Sequence, residues 1–330
     1  MMKIIKRILL GLLIVLLLLI GYFFVGKSKK VENIEWGAVF SQKHSSLLGL
    51  DWKDNYLATL DDLGFKKLKI ISYWDLIEIE EGDFNFEELD WQINEAKKRD
   101  VSLIVVIGMK VPRWPECHVP EWAMELNKEE QQAKILNMLE VFVSRYKNEK
   151  TIEGWQVENE PFFVFGECPW NDEEFLIEEV KLVKSLDPDK YVMISDSGEF
   201  SSWMKPAKIG DKVGVTMYKR VYFPQIKSYF KYFLPGVFYD RKAKLVDLFL
   251  DKDVVCTELQ AEPWGPVLLY DLTLEEQEKT MDLEKFKEIV SFAKKTGFKE
   301  FHFWGTEWWY YMKEVQGNDE IWNEAKNLLK

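Results

Sequence analysis

Short apolar runs rich in β-branched residues recur through residues 31–330 and alternate with longer amphipathic stretches. The short runs predict buried strands, whereas apolar residues spaced three and four apart predict helices. Eight strands are predicted, at Trp36–Phe40, Leu68–Ser72, Leu103–Ile107, Gly154–Val157, Val192–Ser195, Val213–Met217, Val254–Thr257 and Glu300–Trp304. The predicted helices are Asp54–Leu63, Glu87–Arg99, Lys128–Tyr146, Asp172–Leu186, Asp240–Leu250, Leu274–Thr296 and Asn318–Leu329. This succession favours an α/β fold, a closed (β/α)8 TIM barrel, over an open doubly wound sheet.

The N-terminal segment has a different character. Residues 8–26 contain no charged side chain, and as a helix they would span roughly 28 Å, close to the hydrocarbon thickness of a bilayer. Basic residues flank the run on both sides, and no small-x-small cleavage site follows it. Residues 1–30 are therefore predicted to be an uncleaved signal anchor, or transmembrane helix, with a cleaved signal peptide as the alternative. Residues 31–330 would then form one folded domain.

Charge and cysteine content exclude several classes of partner. All 56 acidic residues lie after residue 30, so the folded domain would repel phosphate backbones, and no nucleic acid is expected. The three histidines are far apart, which makes a zinc site improbable. The charges flanking the apolar run are balanced, so the positive-inside rule gives no orientation. We take a membrane-anchored domain outside the cytoplasm as the working hypothesis.

Two predicted strands are followed directly by glutamates, which makes these glutamates candidate site residues. The fourth strand leads into Glu158-Asn159-Glu160-Pro161, and the seventh leads into Thr257-Glu258. In a barrel, the carboxyl ends of the strands form the functional face. Two carboxyl groups facing one cleft are what glycosidic bond cleavage requires. The alternative is two surface glutamates at helix N-termini, where the helix dipole favours them.

These motifs resemble those of clan A glycoside hydrolases, which are (β/α)8 barrels. The Asn159-Glu160-Pro161 and Thr257-Glu258 strand ends carry the resemblance, together with residues 74–86 after the second strand. The tract 155–160 is similar to family 42, whereas Pro161 is more like families 5 and 39. The resemblance spans roughly residues 35–330, and its motifs are specific for the clan rather than for one family.

The resemblance implies roles for individual residues. Glu160 would be the general acid/base and Glu258 the nucleophile. Asn159 would bond the sugar 2-hydroxyl, Tyr218 would orient the nucleophile, and Trp304 would form the floor of the sugar site. No metal or organic cofactor is implied.

The sequence departs from the clan pattern at two positions. Lys69 is the nearest match to an arginine that the clan often has on the second strand, and Thr216 stands where a histidine is common. A lysine offers a point charge where an arginine offers a bidentate fork, so the first exchange is not neutral. We still expect a retaining enzyme, with the two carboxyl groups about 5–5.5 Å apart.

Further residues are predicted near the mouth of the barrel. Trp264 and Trp308 follow the seventh and eighth strands and would bind substrate, with loop packing as the alternative. Cys117 and Cys168 follow neighbouring strands, and a disulfide between them is plausible in a domain outside the cytoplasm. The aromatic stretch 218–239 would be a lid over the barrel or a segment that meets the bilayer.

These features together predict a membrane-anchored retaining glycoside hydrolase that cleaves β-linked glycosides in an oligo- or polysaccharide. A transglycosidase with the same two carboxylates is the nearest alternative. A non-catalytic glycan-binding protein on the same barrel and a structural envelope protein are the alternatives outside enzymes.

Overall fold

A computed structural model describes residues 2–330. Its strands are β1 Glu35–Phe40, β2 Lys67–Ile71, β3 Ser102–Ile107, β4 Ile152–Val157, β5 Tyr191–Asp196, β6 Lys212–Met217, β7 Arg220–Phe223, β8 Ser228–Lys231, β9 Asp253–Gln260 and β10 Glu300–Trp304. Eight of them close into a parallel barrel in the order β1-β10-β9-β6-β5-β4-β3-β2. The predicted (β/α)8 barrel is confirmed, and the open sheet is excluded because β1 pairs with both β2 and β10.

Helices connect the strands and cover the outside of the barrel. They are α1 Met2–Phe24, α2 Gln42–Leu47, α3 Trp52–Ala58, α4 Trp74–Ile77, α5 Glu87–Lys97, α6 Lys128–Tyr146, α7 Glu173–Leu186, α8 Met204–Ile209, α9 Gly236–Leu250, α10 Leu274–Glu278, α11 Leu283–Ala293, α12 Thr306–Glu314 and α13 Glu320–Leu328. Several begin at an N-cap, as at Asn127 before α6 and Asp172 before α7, whose side chains accept from free backbone N–H groups. These caps fix where each strand–helix loop ends.

The barrel strands are buried on both faces, which explains their nearly continuous apolar sequences. The outward residues of the strands pack on the surrounding helices in one large cluster. The interior holds small apolar clusters, such as Ile104, Met193 and Val255, together with a polar layer that includes the fully buried Lys69 and Gln156. A buried lysine inside a barrel requires an acidic partner, and that partner lies at the functional site.

Several elements differ from the sequence expectation, and the short helices α2, α4 and α8 were not predicted. The aromatic stretch after β6 contains an antiparallel hairpin, β7–β8, whose strands were not predicted. The predicted helix over 274–296 is two helices, because Asp282 caps a new one at Leu283. The helix α12 was not predicted, since its sequence begins directly after β10 with tryptophans that resemble a site loop.

The N-terminal helix is long and apolar. Its segment Lys3–Phe24 has a mean hydropathy of 2.7 and is not buried by the rest of the chain, which makes it a candidate membrane span. Only its last turn touches the barrel, where Phe23 and Phe24 contact Phe238 on α9 with ring centroids 5.8 and 5.6 Å apart. A signal sequence near an N-terminus has the same features, so the helix is compatible with either role.

Candidate active site

The chain turns sharply where β4 ends, and this turn presents Glu160. Glu158 and Glu160 have positive φ angles of 58° and 41°, a backbone conformation that non-glycine residues rarely adopt. The Glu160 backbone N–H donates to Ser195 Oγ at 2.8 Å, and Thr216 Oγ1 donates to Glu160 Oε1 at 3.1 Å. Strained turns held by surrounding hydrogen bonds concentrate at functional sites.

Glu258 lies on β9 and is 3% exposed. Lys69 Nζ donates to its Oε1 at 3.1 Å, and the Tyr218 hydroxyl donates to its Oε2 at 3.0 Å. Lys69 comes from β2, on the other side of the barrel interior, and also donates to Gln156 Oε1 at 3.3 Å. One cationic donor and one neutral donor thus hold both carboxylate oxygens in place and stabilise a negative charge there.

Thr216 connects the two glutamates. It is the register partner of Glu258 where β6 pairs with β9, and its hydroxyl donates to Glu160. Paired strands lie about 4.8 Å apart, so the two carboxyl groups occupy the same end of the barrel. The structure thus brings together the two glutamates that the sequence analysis singled out by their strand ends.

Burial raises the pKa of Glu160 well above its ordinary value, and the neighbouring charges of Glu258 and Glu116 raise it further. Burial also raises the pKa of Tyr218, and the Glu258 charge adds to this effect. Tyr218 therefore remains a neutral hydrogen-bond donor. One carboxyl group that stays protonated beside another whose charge is stabilised is the division of labour expected of an acid and a nucleophile.

A third glutamate of the site was not found by sequence reasoning. Glu116, on the loop after β3, is buried, and burial is the main cause that raises its pKa to about 8. Asn159 Nδ2 donates to Glu116 Oε2 at 3.1 Å. The next residue, Cys117, forms a disulfide with Cys168, with 5.1 Å between the Cα atoms. The disulfide joins the loops after β3 and β4, and so holds Glu116 beside Asn159.

Asn159 is enclosed by protein groups. Its Oδ1 accepts from Gln156 Nε2 and from Ser195 Oγ, each at 3.2 Å, and the residue is 2% exposed. Since an amide nitrogen has two donors and Glu116 takes one, a single donor is left for a sugar hydroxyl.

A second set of contacts fixes the turn that carries Glu160. The Glu158 carboxylate accepts from the backbone N–H groups of Met109 and Lys110, both at 2.7 Å. Lys110 Nζ in turn donates to the backbone oxygens of Glu160 at 3.0 Å and Phe163 at 2.7 Å. The loop after β3 therefore supports the turn at Glu160 through the backbone of Met109 and Lys110 and through the Lys110 side chain.

Arg113 packs against the face of the Trp304 ring. Its guanidinium lies 3.8 Å from the Trp304 ring centroid, and it forms ion pairs with Glu262 and Glu307. Burial on its own would raise the pKa of Glu262, but the contacts with Arg113 and His44 together outweigh burial and lower this pKa to about 2. Sequence analysis missed Arg113, since nothing in its local sequence indicates two partners from distant loops.

The predicted tryptophans have different positions. Trp264 is half-buried, and its ring lies 5.3 Å from that of Tyr218, the residue that donates to Glu258. Trp308 is 2% exposed within the core, where its indole N–H donates to Gln277. This burial leaves almost no surface of Trp308 for the predicted contact with substrate, because α12 turns its ring into the core.

An aromatic rim borders the same end of the barrel. It runs over the loops after β3, β4, β5 and β9, and its neighbouring rings lie 5.9 to 6.2 Å apart: Trp114, Phe165, Trp264, Phe163 and Phe200. Phe200 is 63% exposed, and Val164 at the tip of one loop is 85% exposed. Such flat apolar surfaces suit the faces of sugar rings.

The site has the components of acid–base and nucleophilic chemistry. Among residues 2–330, no three His, Cys, Asp or Glu side chains are grouped so that they could hold a metal ion. The reactive groups on hand are the two carboxyls, the Lys69 ammonium and the Tyr218 hydroxyl.

Comparison by sequence finds no matching family model and no matching curated protein. Comparison by structure finds many solved barrels. A GH5_18 protein from Streptomyces cattleya, solved with GlcNAc, is 13% identical with a TM-score of 0.59, over 84% of this chain and 71% of that one. A GH5_18 variant from Bifidobacterium longum, solved with Manβ1-4GlcNAc, is 12% identical with a TM-score of 0.59, over 82% and 69%.

Xylanase 10B from Thermotoga petrophila, solved with xylobiose, is 18% identical with a TM-score of 0.55, over 85% of this chain and 87% of that one. At such low identity these likenesses establish the fold alone. The chain shares its barrel with glycoside hydrolases of families 5 and 10, so the resemblance seen in the sequence motifs is confirmed at the level of fold.

Proposed function

We propose that this chain is a membrane-anchored, retaining glycoside hydrolase that cleaves β-linked glycosides. One observation carries the proposal: Thr216 donates to Glu160 and stands opposite Glu258, so that a neutral carboxyl and a charge-stabilised carboxylate share one end of the barrel. The solved barrels of similar fold were captured with GlcNAc, Manβ1-4GlcNAc and xylobiose, which supports a carbohydrate substrate.

The reaction proceeds in two displacements. Glu258 attacks the anomeric carbon while Glu160 gives its proton to the departing glycosidic oxygen, leaving a glycosyl ester on Glu258. Glu160, now ionised, takes a proton from water, and the water oxygen replaces Glu258 at the anomeric carbon. Lys69 and Tyr218 stabilise the Glu258 carboxylate before the first step and after the second.

Membrane anchoring rests on the helix Lys3–Phe24, and placement of the barrel outside the cytoplasm rests on the disulfide between Cys117 and Cys168. Disulfides persist in oxidising compartments and are rare in the cytosol. The proposed anchor therefore holds an extracytoplasmic enzyme at the membrane surface.

Aryl β-glycosides of glucose, mannose, xylose and N-acetylglucosamine test the activity directly. Glu160→Gln and Glu258→Ala should each lower kcat by about 10²–10⁴-fold, whereas the exposed Glu121→Gln should leave it unchanged. The anomer formed first, followed by NMR, should retain the configuration of the substrate. Equal turnover by Glu160→Gln and the wild type, or an inverted first product, would contradict the proposal.

Transglycosylation is the second candidate, because the aromatic rim extends beyond the carboxyl pair and offers surface for an acceptor sugar. Mass spectrometry of products made with excess oligosaccharide acceptor separates the two reactions. A hydrolase gives shortened products only, whereas a transglycosidase also gives products longer than the substrate.

A further inference from the structure

A large cavity lies where the N-terminal helix meets the barrel, away from the carboxyl pair. Its volume is about 870 Å³, and it opens between the segment after α1, the start of α9 and the length of α11. Its lining residues are Gly26, Lys27, Ser28, Lys30, Pro235, Gly236, Val237, Lys287, Val290, Ser291, Lys294, Lys295 and Glu324. Glu160 and the aromatic rim contribute nothing to this lining.

The cavity is strongly basic. Five lysines line it, two from the segment after α1 and three from α11 or its end, against one acidic residue, Glu324. Of the five, only Lys287 forms an ion pair in the part of the chain that the structure describes, with Glu284 at 3.5 Å. This concentration is unusual in a domain where acidic residues outnumber basic ones. Lysine ammonium groups gathered without acidic partners match a phosphate-bearing anion.

The cavity stands at the level where the apolar helix ends. The last turn of α1 packs on α9, where Phe24 contacts Phe238 and the Arg241 guanidinium lies 4.7 Å from the Tyr22 ring. The lining begins at Gly26, two residues beyond the helix. Tyrosine and arginine at the end of a membrane span occupy the headgroup layer. With α1 across a bilayer, as proposed above, the lysines of the cavity would lie at the depth of the lipid phosphates.

The outward face of α9 continues this surface. Phe238, Arg241, Leu245 and Leu248 follow one another at intervals of three and four residues, so they share one side of the helix. Leu248 and the adjacent Phe249 are 73% and 66% exposed. Because this apolar face is continuous with the contact to α1, a bilayer surface is the environment that suits it.

We propose that the basic cavity binds the headgroup of an anionic phospholipid, with the outward face of α9 lying in the lipid interface. The contacts are ion pairs between the lysines and the lipid phosphate, while Leu248 and Phe249 enter the acyl boundary. This inference rests on the membrane anchor in the proposed function but not on glycosidase activity. Two points of attachment, α1 and this surface, would fix the orientation of the barrel on the membrane.

The first experiment measures lipid binding to the full chain in micelles of a neutral detergent. Short-chain phosphatidylglycerol should bind and raise the Tm, whereas phosphatidylcholine and inorganic phosphate should not. The triple variant Lys287→Gln/Lys294→Gln/Lys295→Gln should bind phosphatidylglycerol about 100-fold more weakly. The control Lys147→Gln/Lys150→Gln/Lys181→Gln removes the same charge from exposed positions elsewhere and should bind like the wild type.

Equal binding by both triple variants would overturn the site. Equal responses to phosphatidylglycerol and to inorganic phosphate would overturn the assignment to a lipid. Glu160→Gln should keep the lipid response, so loss of glycosidase activity and loss of lipid binding are separate outcomes.

The second experiment tests the position of α9 in bilayer nanodiscs. A fluorescent label on Leu248→Cys should be quenched by lipids that carry a spin label in the upper acyl chain. The same label on Glu140→Cys, exposed on α6 across the barrel, should not be quenched. The remaining cysteines do not interfere, since Cys256 is buried and the other two are joined. Equal quenching at both positions would contradict the proposed orientation.

Discussion

Lys69 crosses the barrel interior from β2 and donates to Glu258 Oε1 on β9 at 3.1 Å, and both side chains are almost completely buried. A buried ion pair of this kind contributes little net stability, but removal of one partner leaves an uncompensated charge. The pair therefore ties the proposed nucleophile to the integrity of the barrel.

Lys69→Met should lower the free energy of unfolding by about 3–5 kcal/mol, because the Glu258 charge loses its cationic partner. The double variant Lys69→Met/Glu258→Gln should recover much of that loss, since no buried charge remains. Urea denaturation of the two variants measures the difference. If the double variant is no more stable than Lys69→Met, the charge of Glu258 does not cause the destabilisation.

The pH dependence of kcat/KM should report Glu160. Its raised pKa keeps the carboxyl protonated as the pH rises above its ordinary range, and activity should fall once that proton is lost. Glu160→Gln, assayed with a dinitrophenyl glycoside that needs no protonation to leave, should lack this alkaline fall. A variant that keeps the same alkaline fall would show that another group carries the proton.

Glu116 should make the barrel less stable toward alkaline pH. Its pKa is raised from 4.5 to about 8, so over that interval the folded chain holds a proton that the unfolded chain has released. The free energy of unfolding therefore decreases as the pH rises through the interval. Glu116→Gln should resemble the wild type at about pH 5 and be more stable than it at about pH 8.

Urea midpoints at the two pH values check this difference, with the exposed Glu121→Gln as the control. If the stability of Glu116→Gln decreases with pH as steeply as that of the wild type, other buried carboxyls cause the decrease. Glu199, whose pKa burial raises to about 7, is one such carboxyl.

The glycine at the end of β3 should be essential for the position of Glu160. Gly108 has a φ of 126°, and a Cβ there would overlap the Glu158 carboxylate, which holds the backbone of Met109 and Lys110. Gly82 also has a positive φ, 80°, but no atom within 4 Å of its added Cβ. Gly82→Ala should cost about 1–2 kcal/mol from backbone strain alone.

Gly108→Ala should cost more than Gly82→Ala and should also reduce kcat, because the support of the turn at Glu160 is displaced. Thermal unfolding and kinetics of both variants check the comparison. Equal kcat in the two variants would show that the support of the turn by Glu158 does not affect the reaction.

Reduction of the disulfide should weaken the barrel. Cys117 and Cys168 are 51 residues apart, and closure of a loop of that length stabilises a fold by about 4 kcal/mol in the chain-entropy description. The Cys117→Ser/Cys168→Ser variant should lose up to that amount in urea denaturation and become insensitive to dithiothreitol. KM should rise as well, because Glu116 and Asn159 lose their link. A wild type whose urea midpoint is the same with and without dithiothreitol would contradict this.

The sequence predicted the barrel well because strands buried on both faces have a clear apolar signature. The predicted β10 has the observed bounds, and the others differ only at their ends, where strand and loop residues are alike. The position of a glutamate at the carboxyl end of such a strand also singled out Glu160 and Glu258 as candidates, since barrel geometry brings all strand ends to one face.

Residues that act through distant partners escaped prediction. Glu116 and Arg113 lie in one irregular loop after β3, and their roles arise from Asn159, Glu262 and Glu307 on other loops. Trp308 failed for the opposite reason: its sequence position after β10 resembles a site residue, but the helix that begins at Thr306 rotates it into the core.

The ammonium of Lys110 fixes the first part of the loop after β4. It holds the carbonyls of Glu160 and Phe163, while Val164 beyond them is almost fully solvated. The proposed acid thus belongs to the part of the loop that Lys110 fixes, and the exposed tip at Val164 lies between that part and the disulfide at Cys168. In the proposed enzyme, changes confined to that tip would alter the fit to a glycan without moving the group that delivers the proton.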